Sequence, residues 1–211
     1  MEGMPTSDAA QADLLTALMS FDEERALRVL DEHREGRGPV SLVGDVIMPV
    51  MREIGEGWKR GEVSVAQEHL STQLVRSYLD ALRRPPVVGG PEVWLACPPR
   101  ELHDLPLLAL GLLLRDQGWQ TRFYGANTPL HDLLRAVRVS RPAAVVVSGN
   151  DPRRLRAAAV PLGLIARQTD LFLGGRAAQK AGGELAGRVL PPDVVRAAEE
   201  MRELLPEVKA G

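Results

Sequence analysis

The sequence predicts an α/β protein made of two parts, a bundle of four helices followed by a five-stranded parallel sheet covered by helices. Apolar residues recur with the period of an α-helix up to about residue 83. Three prolines and two glycines then fall within residues 83–91, and such a segment cannot continue a helix. Beyond it, short apolar runs alternate with helical stretches, which is typical of a parallel sheet. We therefore place one domain at residues 8–84 and the other at residues 92–211.

Four amphipathic helices with short connections are predicted for the first part, and together they are typical of a four-helix bundle. The second helix opens on the acidic residues 22–24, which suit the positive end of a helix dipole. The third begins near Ser41 and contains Pro49, so we expect a kink there. The fourth begins at Ser64, and Gln67, three residues later, predicts a capping box.

The second part is predicted to be a flavodoxin-like, doubly wound domain. Its strands are apolar, which indicates a sheet buried on both faces, and its ligand is expected at the carboxyl ends of the strands. The predicted strands cover residues 93–97, 119–124, 143–147 and 171–173 and the region around Val189. The predicted helices after the second, third and fifth strands cover residues 129–138, 153–166 and 193–205.

Composition excludes several classes of protein. The chain has 211 residues and one cysteine, Cys97, which excludes a disulfide framework, an iron–sulfur cluster and an all-cysteine zinc site. It has four histidines, of which His33 is expected at the surface and His131 at the surface or at the rim of a site. We find no signal peptide and no apolar run near 20 residues, so we expect a cytoplasmic protein that does not contact a membrane.

A net charge of −2 argues against nucleic-acid binding, although the C-terminal half is basic. We interpret its arginines as a solvated helix face, with a docking patch for an acidic partner or a phosphate as the alternative. The arginines that define this basic stretch are Arg135, Arg138, Arg141, Arg153, Arg154 and Arg156.

Polar or small residues follow the predicted strands, where a ligand would approach. They lie at residues 98–104, 125–129 and 148–151 and at Gly174 and Gly175. No Walker loop and no G-x-G-x-x-G motif follows a strand, so the common nucleotide fingerprints are missing. The glycine pair indicates close approach of the backbone to a large flat ligand, or merely a tight turn.

His103 lies in the first of these loops, between Glu101 and Asp104. A histidine can bind a metal through one ring nitrogen while a carboxylate accepts the N–H of the other, which fixes the tautomer. An exposed loop histidine without a ligand is the alternative interpretation.

The segment Glu101-Leu102-His103-Asp104-Leu105-Pro106 resembles the E/D-x-H-x-x-G signature of cobalamin-binding domains. The resemblance implies that His103 is the lower axial ligand of cobalt and that the acid before it orients its ring. Pro106 stands where the signature has glycine, which puts the detailed fit of the nucleotide tail in question. The remaining residues that the resemblance assigns to the cofactor site are Asp104, Asn127, Thr128, Ser148, Asn150, Gly174 and Gly175.

In the helical part, Trp58 is followed after nine residues by Glu68 and His69. This spacing is similar to the W-x(9)-E-H pattern in the cap bundle of CarH-type light-dependent regulators. The resemblance implies that the bundle covers the upper face of cobalt, with Trp58 beside the 5′-deoxyadenosyl group and Glu68 and His69 in contact with it. From the residues alone, Trp58 belongs to a glycine-rich loop that presents its ring to a ligand. The alternatives are that Trp58 is a core residue and that Glu68 only interacts with the dipole of its helix. Lys59 replaces the histidine that can cap cobalt in the regulators, which leaves His69 as the other nearby candidate for a second histidine ligand.

These resemblances imply a sensor or photoreceptor module, not an enzyme, with adenosylcobalamin as its chromophore. Light would break the cobalt–carbon bond and change the conformation or the oligomeric state. We expect a homo-oligomer, dimer or tetramer, with an unidentified signalling partner, and a non-covalent bilin is a second candidate chromophore. Because the chain starts almost at the bundle, direct DNA binding is not expected. The alternatives are a corrinoid shuttle subunit for methyl transfer and an interaction module that has lost the cobalt chemistry.

Overall fold

The computed structural model describes residues 6–83 and 89–204. The chain divides into two compact units, with the boundary between residues 84 and 85. Residues 84–88, most of the predicted linker, lie outside the described residues, as does residue 205 at the predicted end of the last helix.

The first unit is helical. The side chains of Thr6, Asp22 and Ser64 cap helices by accepting backbone N–H groups. The capping box at Ser64 is confirmed, since its hydroxyl accepts the Gln67 N–H at 3.2 Å and its own N–H donates to Gln67 Oε1 at 2.9 Å. The helices are α1 (Ser7–Met19), α2 (Glu23–Ser41), α3 (Met48–Arg60) and α4 (Val65–Leu82), with a π-helical segment at Leu42–Ile47.

The kink expected at Pro49 lies upstream of the proline. Gly38 leaves helical geometry with a φ of 81°, and the π-helical segment follows it. Pro49 itself occupies the first turn of α3, where a missing N–H costs little. Its missing N–H would have paired with the Asp45 carbonyl four residues earlier, and that carbonyl instead accepts Gln11 Nε2 at 2.5 Å. The irregular helical geometry therefore lies before Pro49, and Pro49 itself does not bend the helix.

The surface position predicted for His33 is wrong, because this side chain is only 3% exposed. It follows Ala26 and Val29 at helical spacing on the buried face of α2, which continues to Ser41. The Ser41 hydroxyl donates to Asp45 Oδ2 at 2.7 Å and accepts from His33 Nε2 at 3.0 Å. Burial lowers the pKa of His33, with the nearby positive charge of Arg37 acting in the same direction.

The second unit confirms the predicted flavodoxin-like fold. Its strands are parallel and lie in the order β2-β1-β3-β4-β5. Connections leave β1 and β3 toward opposite sides, so the crevice between their carboxyl ends is the switch point of the sheet. The strands are β1 (Glu92–Ala96), β2 (Gln120–Gly125), β3 (Ala144–Ser148), β4 (Asp170–Gly174) and β5 (Arg188–Val189).

The helices of this unit cover the sheet, with one difference from expectation. The single helix predicted at residues 153–166 is two helices that meet at Ala158. Pro161 explains the break, since it has no N–H to donate to the carbonyl of Ala157. The helices are α5 (Leu105–Asp116), α6 (Leu130–Ser140), α7 (Pro152–Ala157), α8 (Ala159–Ile165), α9 (Gly175–Ala181) and α10 (Val194–Leu204), with a 3-10 turn at Gly182–Glu184.

Within the ranges 6–83 and 89–204, no helix combines the length and the apolar character needed to cross a membrane.

Candidate functional site

The Glu101 carboxylate lies at the switch point and joins the loops after β1 and β3. Its side chain is fully buried. Oε1 accepts the backbone N–H groups of Leu102 and His103, both at 3.1 Å, and His103 Nδ1 at 2.7 Å. Oε2 accepts the backbone N–H groups of Asn150 at 2.9 Å and Asp151 at 3.3 Å. One carboxylate therefore holds the histidine loop against the end of β3.

These contacts fix the charge of Glu101 and the tautomer of His103. Burial alone would raise the pKa of Glu101, but the hydrogen bonds from Asn150 and His103 outweigh it and lower this pKa to about 2. An ionised carboxylate only accepts, so His103 Nδ1 carries a proton and donates it. In the neutral ring the lone pair then lies on Nε2, and the His103 side chain is 64% exposed. The pair thus presents one basic nitrogen of fixed tautomer.

Arg154 is a further member of this cluster that the sequence analysis missed. Its Nη1 lies 3.2 Å from Glu101 Oε1, and its Nε lies 3.8 Å from Asp151 Oδ2. The sequence analysis placed Arg154 on a solvated helix face, but its side chain is only 33% exposed. The signal available in the sequence was the i, i+3 spacing of Asp151 and Arg154 at the start of a helix that follows a polar loop.

Asp104 and Thr128 brace the loops around this cluster. Asp104 is 3% exposed, and its Oδ2 accepts the backbone N–H of Ala126 at 3.0 Å. The Thr128 hydroxyl donates to the Gly125 carbonyl at 3.0 Å. Both predicted site residues thus connect the end of β2 to its surroundings.

Asn127 joins the loops after β1 and β2. Its backbone is in the left-handed region, with a φ of 53°, which asparagine tolerates better than most residues. Its N–H donates to the Glu101 carbonyl at 2.9 Å, and its Oδ1 accepts the N–H of Arg100 at 2.8 Å. Asn127 therefore sets the path of the loop that carries Glu101 and His103.

The pair Gly174 and Gly175 is explained by close approach of β3 and β4. Ser148 lies opposite Gly174 in the sheet, and a Cβ on Gly174 would lie 3.3 Å from Ser148 Oγ. A Cβ on Gly175 would lie 2.5 Å from the Gly149 carbonyl oxygen, and Gly175 has a φ of 78°. Of the two interpretations of this glycine pair, the structure thus gives direct support to the tight turn. Ser148, which lies opposite Gly174, is largely buried.

Replacing Gly175 with alanine is therefore expected to destabilise the fold by about 2–4 kcal/mol, from backbone strain and the clash with Gly149. Gly163→Ala is the matched control, since Gly163 is helical and has no atom within 4 Å of the added methyl group. This control should be neutral or stabilising by up to about 1 kcal/mol. Urea unfolding of both variants measures the difference, and equal losses would contradict the steric explanation.

Trp58 differs from the sequence prediction, because it lies on α3 and not in a loop. The glycines around it have other reasons. A Cβ on Gly57 would lie 2.7 Å from Val63 Cγ2, so this glycine permits close packing, and Gly61 ends α3 with a left-handed φ of 76°. The tryptophan is 48% exposed, which excludes the alternative of a core residue.

Glu68 and His69 lie at the start of α4 and interact with each other. Glu68 Oε2 is 2.9 Å from His69 Nδ1, and Glu68 Oε1 accepts the Thr72 hydroxyl at 3.0 Å. The His69 side chain is 72% exposed and that of Glu68 is 29% exposed. The predicted residues thus form two sets, one on each unit, with the second set centred on Glu101 and His103.

Comparisons with known proteins identify relatives of this chain. Residues 10–83 match the family described as the B12 binding domain. The HTH-type transcriptional repressor CarH of Myxococcus xanthus is 34% identical over 148 residues, which are 70% of this chain and 50% of the repressor. The chain is a member of the cobalamin-binding domain family. The repressor CarA of the same organism is 30% identical over 148 residues, covering 68% and 49% of the two chains. The chain spans about half the length of these curated relatives.

A solved structure shares the fold of this cobalamin-binding domain protein. The monomethylamine corrinoid protein of Methanosarcina barkeri superposes with a TM-score of 0.76, covering 94% of this chain and 100% of that one, at 12% identity. In the second unit, Pro106 lies in the first turn of α5, where a proline is tolerated. The departure from the family signature at this position therefore leaves the helix intact.

Proposed function

We propose that the chain is a sensor module that binds adenosylcobalamin, with His103 as the lower cobalt ligand, and that it is not an enzyme. The observation that carries this proposal is the Glu101–His103 pair at the switch point of the sheet. Its Nδ1···Oε1 distance of 2.7 Å leaves Nε2 as the nitrogen for a metal. The similarity to two repressors over two thirds of the chain supports a regulatory role.

The residues present fit this cofactor. A corrin ring supplies four of the cobalt ligands itself, so one protein nitrogen completes the lower face. His103 supplies that nitrogen from a loop that Glu101 and Asn127 hold in place. We propose that Ser148 and Asn150, which follow one another closely at the end of β3, line the space for the nucleotide tail.

On the helical unit, we propose that Trp58, Glu68 and His69 contact the 5′-deoxyadenosyl group. The exposed indole ring offers a flat apolar surface, and the Glu68–His69 pair offers hydrogen-bonding groups. Lys59 is exposed, and a protonated amine is a poor cobalt ligand, so we propose no second protein ligand at this position.

Bound adenosylcobalamin supplies a cobalt–carbon bond that visible light breaks. We propose that Trp58 would lose its contact with the adenosyl group when that bond breaks. This loss would change the conformation or the oligomeric state of a dimer or tetramer, which a signalling partner would detect. A bilin chromophore is a secondary proposal, and it would have to be held without a covalent bond because Cys97 is buried.

The test is reconstitution with adenosylcobalamin in the dark, followed by green light. We expect the visible spectrum to change on illumination and the elution volume on gel filtration to shift with it. Protein loaded with hydroxocobalamin is the control, since it has no cobalt–carbon bond. Failure to take up the cofactor, or an unchanged spectrum and size after illumination, would refute the sensor function.

A corrinoid shuttle for methyl transfer is the second candidate, because the fold is shared with the monomethylamine corrinoid protein over almost the whole chain. The exposed Trp58 favours a bulky upper ligand over a methyl group. Tighter binding of methylcobalamin than of adenosylcobalamin would favour the shuttle.

Trp58→Ala is expected to weaken adenosylcobalamin binding about tenfold, because stacking of a base on an aromatic ring contributes on the order of 1–3 kcal/mol. Hydroxocobalamin lacks the adenine base of the adenosyl group, and its affinity should change less than about twofold. Lys59→Ala, at the adjacent exposed position, is the control. Spectral titration in the dark measures both affinities. An equal loss of affinity for the two cobalamins would show that Trp58 does not contact the upper ligand.

A further inference from the structure

Phe21 lies in the turn between α1 and α2 with a φ of 59°, in the left-handed region that glycine favours. The Asp22 N–H donates to the Ala17 carbonyl at 2.9 Å, and the Phe21 N–H donates to the Leu18 carbonyl at 3.3 Å. These two bonds form a Schellman motif, whose left-handed residue is usually glycine. A bulky side chain at this position is a strained choice.

Packing in the core does not account for this choice, because Phe21 is 52% exposed. Burial of about half of the ring offsets only part of the strain of its backbone. Strained residues that a fold retains cluster at sites that bind ligands or switch conformation. The position of Phe21 within the helical unit indicates which kind of ligand its ring would contact.

Phe21 lies at the end of the bundle that carries the proposed upper-ligand residues. In the antiparallel bundle, α1 and α3 end and α2 and α4 begin at this end. Gln67 Nε2 donates to the Met19 carbonyl at 2.9 Å, which ties the turn before Phe21 to the residue preceding Glu68. Trp58, at the end of α3, is exposed at the same end of the bundle.

We propose that Phe21 is a further specificity residue of the helical unit, an aromatic contact for the adenosyl group of adenosylcobalamin beside Trp58. The inference rests on the proposed function. The adenosyl group carries a planar base, and an exposed ring held on a rigid turn is suited to stack on it or pack against its edge. Phe21 presents its ring at the surface of this turn, whereas a glycine there would offer no side chain.

Two variants that delete the ring separate the effect of backbone strain on stability from the effect of the ring on binding. Phe21→Gly relieves the backbone strain, and Phe21→Ala does not. We expect the ligand-free Gly variant to melt about 2–4 °C above the Ala variant. Both should bind adenosylcobalamin at least fivefold more weakly than the unmodified chain in the dark, with hydroxocobalamin changed less than twofold. Phe21→Tyr keeps the ring and should bind normally, and Val40→Ala, exposed at the opposite end of the bundle, is the control.

Adenosylcobalamin affinities within twofold of the unmodified chain for both ring-deleting variants would overturn this inference and leave the proposed function standing. The same holds if ring deletion changes only the elution volume on gel filtration, which would assign Phe21 to a protein contact. An unmodified chain that takes up no adenosylcobalamin would overturn the proposed function and this inference together.

Discussion

His103→Ala is expected to weaken cobalamin binding by one to two orders of magnitude or more, because it removes the single protein nitrogen offered to cobalt. Any cobalamin still bound should keep its own dimethylbenzimidazole base on the metal, or carry water there, and its spectrum should show this. Dark spectral titration with adenosylcobalamin measures both effects.

His131→Ala is the matched control for this variant. His131 is an exposed histidine at the start of α6, in the same unit, and it is in none of the contacts of the Glu101 cluster. Its replacement should leave affinity and spectrum unchanged. A His103→Ala protein with the affinity and spectrum of the unmodified chain would remove His103 from the metal site.

Glu101→Gln is expected to cost the fold about 3–5 kcal/mol at pH 7, because it breaks a buried charge cluster without changing its volume. The amide has one acceptor oxygen where the carboxylate has two, so N–H donors of Asn150 or His103 lose their partner. Arg154 also loses the negative charge beside it. Urea unfolding measures the loss. Glu184→Gln, which removes an exposed partner of Arg156, is the control and should cost less than about 1 kcal/mol.

Acid should narrow the difference in stability between Glu101→Gln and the unmodified chain. The pKa of Glu101 is lowered on folding from 4.5 to about 2, so its charge stabilises the fold fully above pH 4.5. That contribution, about 3 kcal/mol, is lost as the pH falls from 4.5 to 2. The stability gap between the two proteins should therefore narrow across this range. A gap that stays constant from pH 7 to pH 3 would show that the loss is steric and not electrostatic.

Three strands of the second unit, β1, β3 and β4, were predictable from the sequence because each is a short apolar run bounded by prolines, glycines or polar residues. The run of valines in β3 and the glycine pair at the end of β4 are examples of such signals. The position of His103 followed from the same pattern, since the loops after parallel strands meet at one edge of the sheet. The edge strand β2 differs from the expected apolar strand, since it mixes polar and apolar residues and is only partly buried.

Features that depend on distant or competing interactions were not predictable. The Glu101 carboxylate is satisfied by backbone groups 49 and 50 residues further along the chain, and no local pattern reveals such a pairing. Glycine signalled a loop around Trp58, whereas Gly57 serves packing and only Gly61 ends the helix. His33 was placed at the surface because it lies near the polar end of a helix, whereas its spacing from Ala26 and Val29 puts it on the buried face of α2.

The assignment of His103 to cobalt is tested most directly by electron paramagnetic resonance of the bound cofactor in its cobalt(II) state. The protein is prepared with ¹⁵N-labelled histidine, and the cobalamin is left unlabelled. If His103 is the lower ligand, each three-line splitting from an axial ¹⁴N becomes a two-line splitting in the labelled sample. Three-line splittings that persist in the labelled protein would show that the cofactor's own base stays on cobalt, and they would contradict the proposed site.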